Sequence, residues 1–139
     1  MKKLQFDTGV EEYQLNDNCV VHFNPADPVF VERIYTVMEK LQKMQDSQKE
    51  ITEENLFEEL HARDKVMRES INSLFPDDGD VCAMLFNNVG LYAFSGGMPL
   101  WANLLFAILD EMEDNLTDEQ KKSSPRMEYY KKKYGKYLK

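Results

Sequence analysis

The chain has 139 residues, 42% of them hydrophobic and 12% aromatic, with a formal net charge of −8. This composition excludes an intrinsically disordered polymer and predicts one domain over 1–139, large enough to bury roughly two-thirds of its unfolded surface. The longest apolar run, "LWANLLFAIL", is too short for the ~20 residues a membrane span needs, and "MKKLQFDTGVEEY" turns acidic too early for a secretory signal.

Residues 1–23 alternate apolar and polar positions. Leu4 and Phe6 share one face of a first strand, Tyr13 and Leu15 one face of a second, with Gly9 available for a turn between them. "CVVHF" at 19–23 has the β-branched and aromatic character of a third, so a small antiparallel hairpin or meander is expected. "NPADP" stops it. Asp27 then serves as N-cap and Pro28 as first helical residue, and Phe30, Ile34, Val37, Leu41 and Met44 form one apolar stripe on a helix reaching about residue 48. A second helix is expected to start at Thr52, with Leu56, Leu60, Met67, Ile71 and Leu74 in its stripe. Arg63 or Asp64 occupies the missing apolar step. "FPDDGD" closes it as a turn leading into an acidic helix cap.

"VCAMLF" reads as a short helix or a buried strand, which periodicity does not separate. "NNVGLYAFSGGMP" is a glycine-rich connector, and Pro99 opens a central helix through Leu100, Trp101, Leu104, Leu105, Ile108, Leu109 and Met112. Thr117 to Gln120, "TDEQ", is a capping box that predicts a new helix start, and "SSP" at 123–125 offers another. The expected fold is mainly α with a small N-terminal antiparallel β element, an α+β domain with a helical body over 27–120 and a basic amphipathic helix over 121–139.

Catalytic and metal chemistry find little support. His22 and His61 are the only histidines, and Glu58-x-x-His61 supplies one carboxylate–histidine pair where a di-iron bundle needs two. Cys19 and Cys82 make no metal-ligand spacing and no Cys-His signature, so free thiols in a reducing compartment are expected. Gly96-Gly97 lacks the frame of a phosphate loop, "PDDGD" lacks the spacing of a calcium loop, and Trp101 in a leucine-rich helix reads as core. The expectation is a non-enzymatic protein with no cofactor and no metal.

Charge is unevenly placed. Residues 1–120 hold nine Lys/Arg and 24 Asp/Glu, a net of −15, whereas 121–139 hold eight Lys/Arg and Glu128 alone, a net of +7. Within that tail, "RMEYYKKKYGKYLK", Met127, Tyr130, Tyr134 and Tyr137 are spaced three, four and three, with lysines on the other faces of the helix. Lysines on phosphates and stacked tyrosines would suit a nucleic-acid arm, but the acidic body repels a duplex within about 8 Å, the Debye length at physiological salt. Tyrosine in place of leucine or phenylalanine disfavours a membrane-surface helix. The stripe is expected to dock on protein, either the chain's own acidic helices or a partner, with Met127, Tyr130, Tyr134 and Tyr137 as the partner-binding residues.

"FNPADPVFVERIYTVMEKL", "GLYAFSGGMPLWANLLFAILDEM" and the closing "PRMEYYKKKYGKY" together resemble a family: tail assembly chaperone-like proteins from the tail-morphogenesis gene block of phages and prophages of Gram-positive bacteria. The resemblance covers nearly the whole chain in matching order, through packing and turn motifs that carry no functional residues. It implies a protein of the infected or lysogenic host cytoplasm that keeps tail components, chiefly the tape measure protein or the tail tube protein, soluble before assembly. A homo-oligomer is compatible with it. The acidic body opposes aggregation of an apolar client, and eight methionines suit either an adaptable groove or ordinary core filling. From a different class, the alternative is a phage regulatory or counter-defence protein that binds a host factor, or a small signalling molecule in a pocket near residues 86–101.

Overall fold

The computed structural model describes residues 1–47, 51–121 and Lys132. The N-terminal alternation yields one hairpin, not a three-stranded meander. β1 (Glu11–Leu15) pairs antiparallel with β2 (Cys19–Phe23), Tyr13 opposite Val21, and Asn16 takes a φ of 52° in the turn. Leu4 and Phe6 stand exposed outside any strand. The chain before β1 is instead bent into a loop. Gly9 adopts φ 72° and donates its N–H to Asp7 Oδ1, while Asn24 Nδ2 donates to Thr8 O. Asn24 crowds the position a Cβ on Gly9 would occupy.

One face of the hairpin is core. Cys19, Val21 and Phe23 are buried and alternate with exposed Val20 and His22, so period-2 patterning translates directly into an inner and an outer face. Phe23 stacks on Tyr13 at 4.6 Å and on Phe30 at 5.1 Å, and Phe75 leans against both Phe23 and Phe30. This aromatic cluster fixes the hairpin against the start of the first helix.

α1 (Pro28–Asp46) begins as its sequence dictates: Asp27 is extended and accepts from Val29 N, with Pro28 in the first turn. Phe30, Ile34 and Leu41 are buried on its inner face, with Val37 and Met44 half-buried beside them. α2 (Leu56–Asn72) starts four residues after the expected Thr52. Thr52 Oγ1 donates to Asn55 Oδ1 and Thr52 O receives Asn55 N, so a turn occupies the expected first helical residues. "VCAMLF" resolves as a helix, α3 (Val81–Phe86), capped by Asp80, which accepts from Ala83 N. The glycine-rich connector holds two-residue strands β3 (Phe94–Ser95) and β4 (Met98–Pro99), joined through Gly96 and Gly97, both at positive φ as a tight hairpin turn needs.

α4 (Leu100–Lys121) buries Trp101, Ala102, Leu105, Ile108 and Met112. The capping box expected at 117–120 is not a helix start: α4 runs through it, and Thr117 Oγ1 donates to Glu113 O, a back-bond available only inside a helix. α4 lies antiparallel to α1. Its first turn meets the end of α1, where Trp101 Nε1 donates to Gln45 Oε1, and its middle meets the hairpin, where Tyr13 donates to Glu111 Oε1. The result is an α+β fold, a helical body with the β1–β2 hairpin closing one side of its core. No helix among the described residues is long and apolar enough to cross a membrane.

Candidate functional site

α1 carries a second row beside its core stripe. Val31, Tyr35 and Met38, spaced four and three, stand one helical step from Ile34 and Leu41. On α4, Phe106 follows Ala102 by four and lies beside the buried Leu105. Where the two helices separate above their buried contacts, these rows leave a groove of about 570 Å³ lined by Tyr35, Met38, Met98, Pro99, Trp101 and Phe106. Glu39 and Gln42 supply its polar edge.

The groove sets exposed rings over a buried one. Tyr35 is 58% and Phe106 42% exposed, while Trp101, its floor, is 2% exposed and held by Gln45. Two aromatic rings left in water over a rigid indole form an anchor surface, and the two methionines can adjust to the shape laid on it. Such a surface suits the apolar face of an amphipathic helix.

A second cavity, of about 440 Å³, lies between the β1–β2 turn, the end of α3 and the start of α4. Leu85, Phe86, Leu100 and Leu104 line it with the amides of Gln14 and Asn16; Asn103, also on its wall, donates to Ser95 O at 3.1 Å. It overlaps the 86–101 region and mixes apolar walls with a few polar groups, the usual make-up of a small-molecule pocket.

Ionisable groups outside the groove serve the fold. His22, on the outer face of β2, pairs across the hairpin with Glu12 at 3.4 Å and with Asp78 at 2.7 Å, and Asp78 also accepts His22 N at 2.9 Å. The hydrogen bond to Asp78 is the largest influence raising the His22 pKa, with Glu12 adding to it against a smaller opposing effect of desolvation. Burial pushes the Cys82 thiol up to about 12 and raises that of Cys19, so neither is poised as a thiolate at neutral pH. Burial, reinforced by hydrogen bonds to Glu111 and Glu11, also raises the Tyr13 phenol well above its ordinary range.

The sequence-predicted residues fall as follows. Met127, Tyr130, Tyr134 and Tyr137 lie outside the described residues. Glu58 and His61 are exposed on α2, and among the described residues no group of three or more His, Cys, Asp or Glu side chains could hold a metal ion. Trp101 is core, as its surroundings predict, yet its indole also floors the groove. Tyr35, Met98 and Phe106 went unassigned in the sequence. The available signal was the second row of α1, two large apolar residues beside a stripe already sufficient for the core. No family model, curated protein or solved structure matches the chain.

Proposed function

We propose that this chain is a non-enzymatic protein-binding module that seats an amphipathic helix of a client in the α1–α4 groove. The supporting observation is the groove itself, with Tyr35 and Phe106 exposed over a buried Trp101. The resemblance to tail assembly chaperone-like proteins of phages of Gram-positive bacteria names the client class: a tail component, chiefly the tape measure protein or else the tail tube protein, held soluble before the tube polymerises. A strongly acidic body keeps such a complex from self-associating. The test is co-expression with the tape measure and tail tube proteins of the same genome, followed by pull-down. The parent should co-purify with one of them, and Tyr35→Ser with Phe106→Ser should lose it. If neither protein co-purifies or gains solubility, the reading is lost.

The second cavity supports another reading, a regulatory or counter-defence protein taking a small signalling molecule among Asn16, Phe86, Leu100 and Asn103. Mass spectrometry of the protein purified under native conditions tests it: a ligand that departs on Leu104→Arg would establish it, and protein that carries none and binds no nucleotide would end it.

A further inference from the structure

The β1–β2 hairpin has one protected edge and one open edge, and residues 2–6 have the alternation of a strand that pairs with neither. We propose that residues 2–6 of a second copy add as a parallel strand to the open edge of β1, with Leu4 beside Tyr13 and Phe6 beside Leu15. Two copies are thereby joined through their N-terminal segments. This inference does not depend on the α1–α4 groove.

The first observation is the edge. Asp78 accepts the His22 N–H, so the backbone of His22 points out of the hairpin, and that of Glu12, directly opposite, points out on the other side. Gln14, two residues on, repeats the orientation of Glu12. The N–H and C=O groups of Glu12 and Gln14 therefore line the outer edge of β1, and among the described residues they have no backbone partner. The second is the segment. Leu4 is 86% and Phe6 83% exposed, on alternate residues, as one apolar face of a strand would be. In its own chain the segment is turned aside. Gly9 takes φ 72°, and Asn24, the residue after β2, donates to Thr8 O, which roots the segment at the end of β2 and away from the free edge of β1.

The third is register. Laid parallel, "KKLQF" at 2–6 meets "EEYQL" at 11–15: Lys2 and Lys3 face Glu11 and Glu12, and Leu4 and Phe6 extend the face of half-buried Tyr13 and Leu15. Two acidic chains repel overall, and this register brings opposite charges together where they touch. An antiparallel strand with Phe6 beside Tyr13 would set Asp7 against Glu12 instead. The fourth is space. The 440 Å³ cavity lies at the Leu15 end of this edge, walled by Leu85, Phe86, Leu100 and Leu104, where a Phe6 ring beside Leu15 would enter it. Phe6 then competes with any small ligand for that cavity.

Sedimentation equilibrium of the 139-residue chain at about 100 μM, where a dimer of modest affinity is populated, should give twice the chain mass. Leu4→Ser with Phe6→Ser should raise the dimer Kd at least about tenfold and leave the circular dichroism of the monomer unchanged, since both side chains stand exposed in it. Gln14→Pro deletes an outward N–H without touching the β1–β2 ladder and should weaken the dimer likewise. A parent that sediments as a monomer, or a dimer indifferent to these changes, would overturn the proposal. Orientation is read by cross-linking. Lys3→Cys protein mixed with Glu12→Cys protein and gently oxidised should give a disulfide-linked heterodimer, the native Cys19 and Cys82 being buried. No link, or one formed equally well with Val20→Cys on the outer face of β2, would refute the pairing. A dimer that retains a small molecule lost on Leu104→Arg would refute the seating of Phe6. None of these readouts involves a client, so a failed pull-down removes the chaperone reading and leaves the strand exchange standing on its own data.

Discussion

The corner where β2, α2 and α3 meet and the face where α1 and α4 meet are stabilised by opposite means. At the corner, side chains complete the backbone. Asp64 accepts Leu91 N at 2.7 Å and Arg68 Nε at 2.7 Å, Arg68 Nη2 donates on to Val89 O, and Asn72 Oδ1 accepts Cys82 N. Asp78 holds the His22 N–H on the free edge of β2, blunting an edge that would otherwise invite another strand. Among the described residues the α1–α4 face is joined by the side-chain bond from Trp101 to Gln45 and by apolar contact. Its outer rows exceed what the core needs. Polar groups are satisfied at the one place, and Tyr35 and Phe106 are left partly in water at the other.

Substitutions sharpen this contrast, beginning with the largest effect. Phe23→Ala removes the ring shared by Tyr13, Phe30 and Phe75, and should cost about 3–5 kcal/mol in urea unfolding, as large aromatic truncations do. A loss below about 1 kcal/mol would mean the hairpin is an appendage rather than part of the core.

Asp64→Ala strands the buried Leu91 N–H and frees Arg68, which should cost about 1–3 kcal/mol. Asp64→Asn keeps an acceptor for Leu91 and should lose less. If the two variants unfold alike, the ion pair and not the backbone bond secures the corner. On the opposite face, Tyr35→Ser and Phe106→Ser together should change stability by no more than about 1 kcal/mol, since neither ring is buried. Thermal unfolding that drops as far as it does for Asp64→Ala would make those rings structural and remove the contrast.

The smallest effect concerns pH. The folded-state pKa of His22 is raised, chiefly by Asp78, so its contribution is fully present below the ordinary histidine value of about 6.5 and is lost as pH rises through the folded value. The advantage of the parent over Asp78→Asn should therefore be greatest in mildly acidic buffer and shrink towards pH 8. Proton NMR titration should place His22 above its value in that variant. Coincident curves would show that Asp78 acts only through the β2 backbone.

Much of this architecture was legible in the chain. Asp27-Pro28 capped α1, the Phe30, Ile34 and Leu41 stripe turned inward, and Asp80 started α3, because caps and helical periodicity are local properties. The misreadings share a cause. Leu4 and Phe6 alternate like a strand but had no sheet edge to join, and "TDEQ" has the composition of a cap but sits where α4 already supplies backbone partners. Arg63 and Asp64 looked like defects in the α2 stripe. In the fold Arg63 donates to Met44 O and Ser47 Oγ near the end of α1, and Asp64 secures Leu91.

The sequence by itself determined the α+β class, the identity of the helical core faces and the opposition of an acidic body to a basic, tyrosine-striped tail, since each follows from residue spacing and charge. Only the tertiary structure decided which apolar residues remain uncovered. Ile34 and Tyr35 are neighbours on one helix, and nothing in their spacing says that the fold will bury the first and leave the second exposed. That outcome depends on how closely two helices approach and where they part, a property of packing between distant segments that no local pattern encodes.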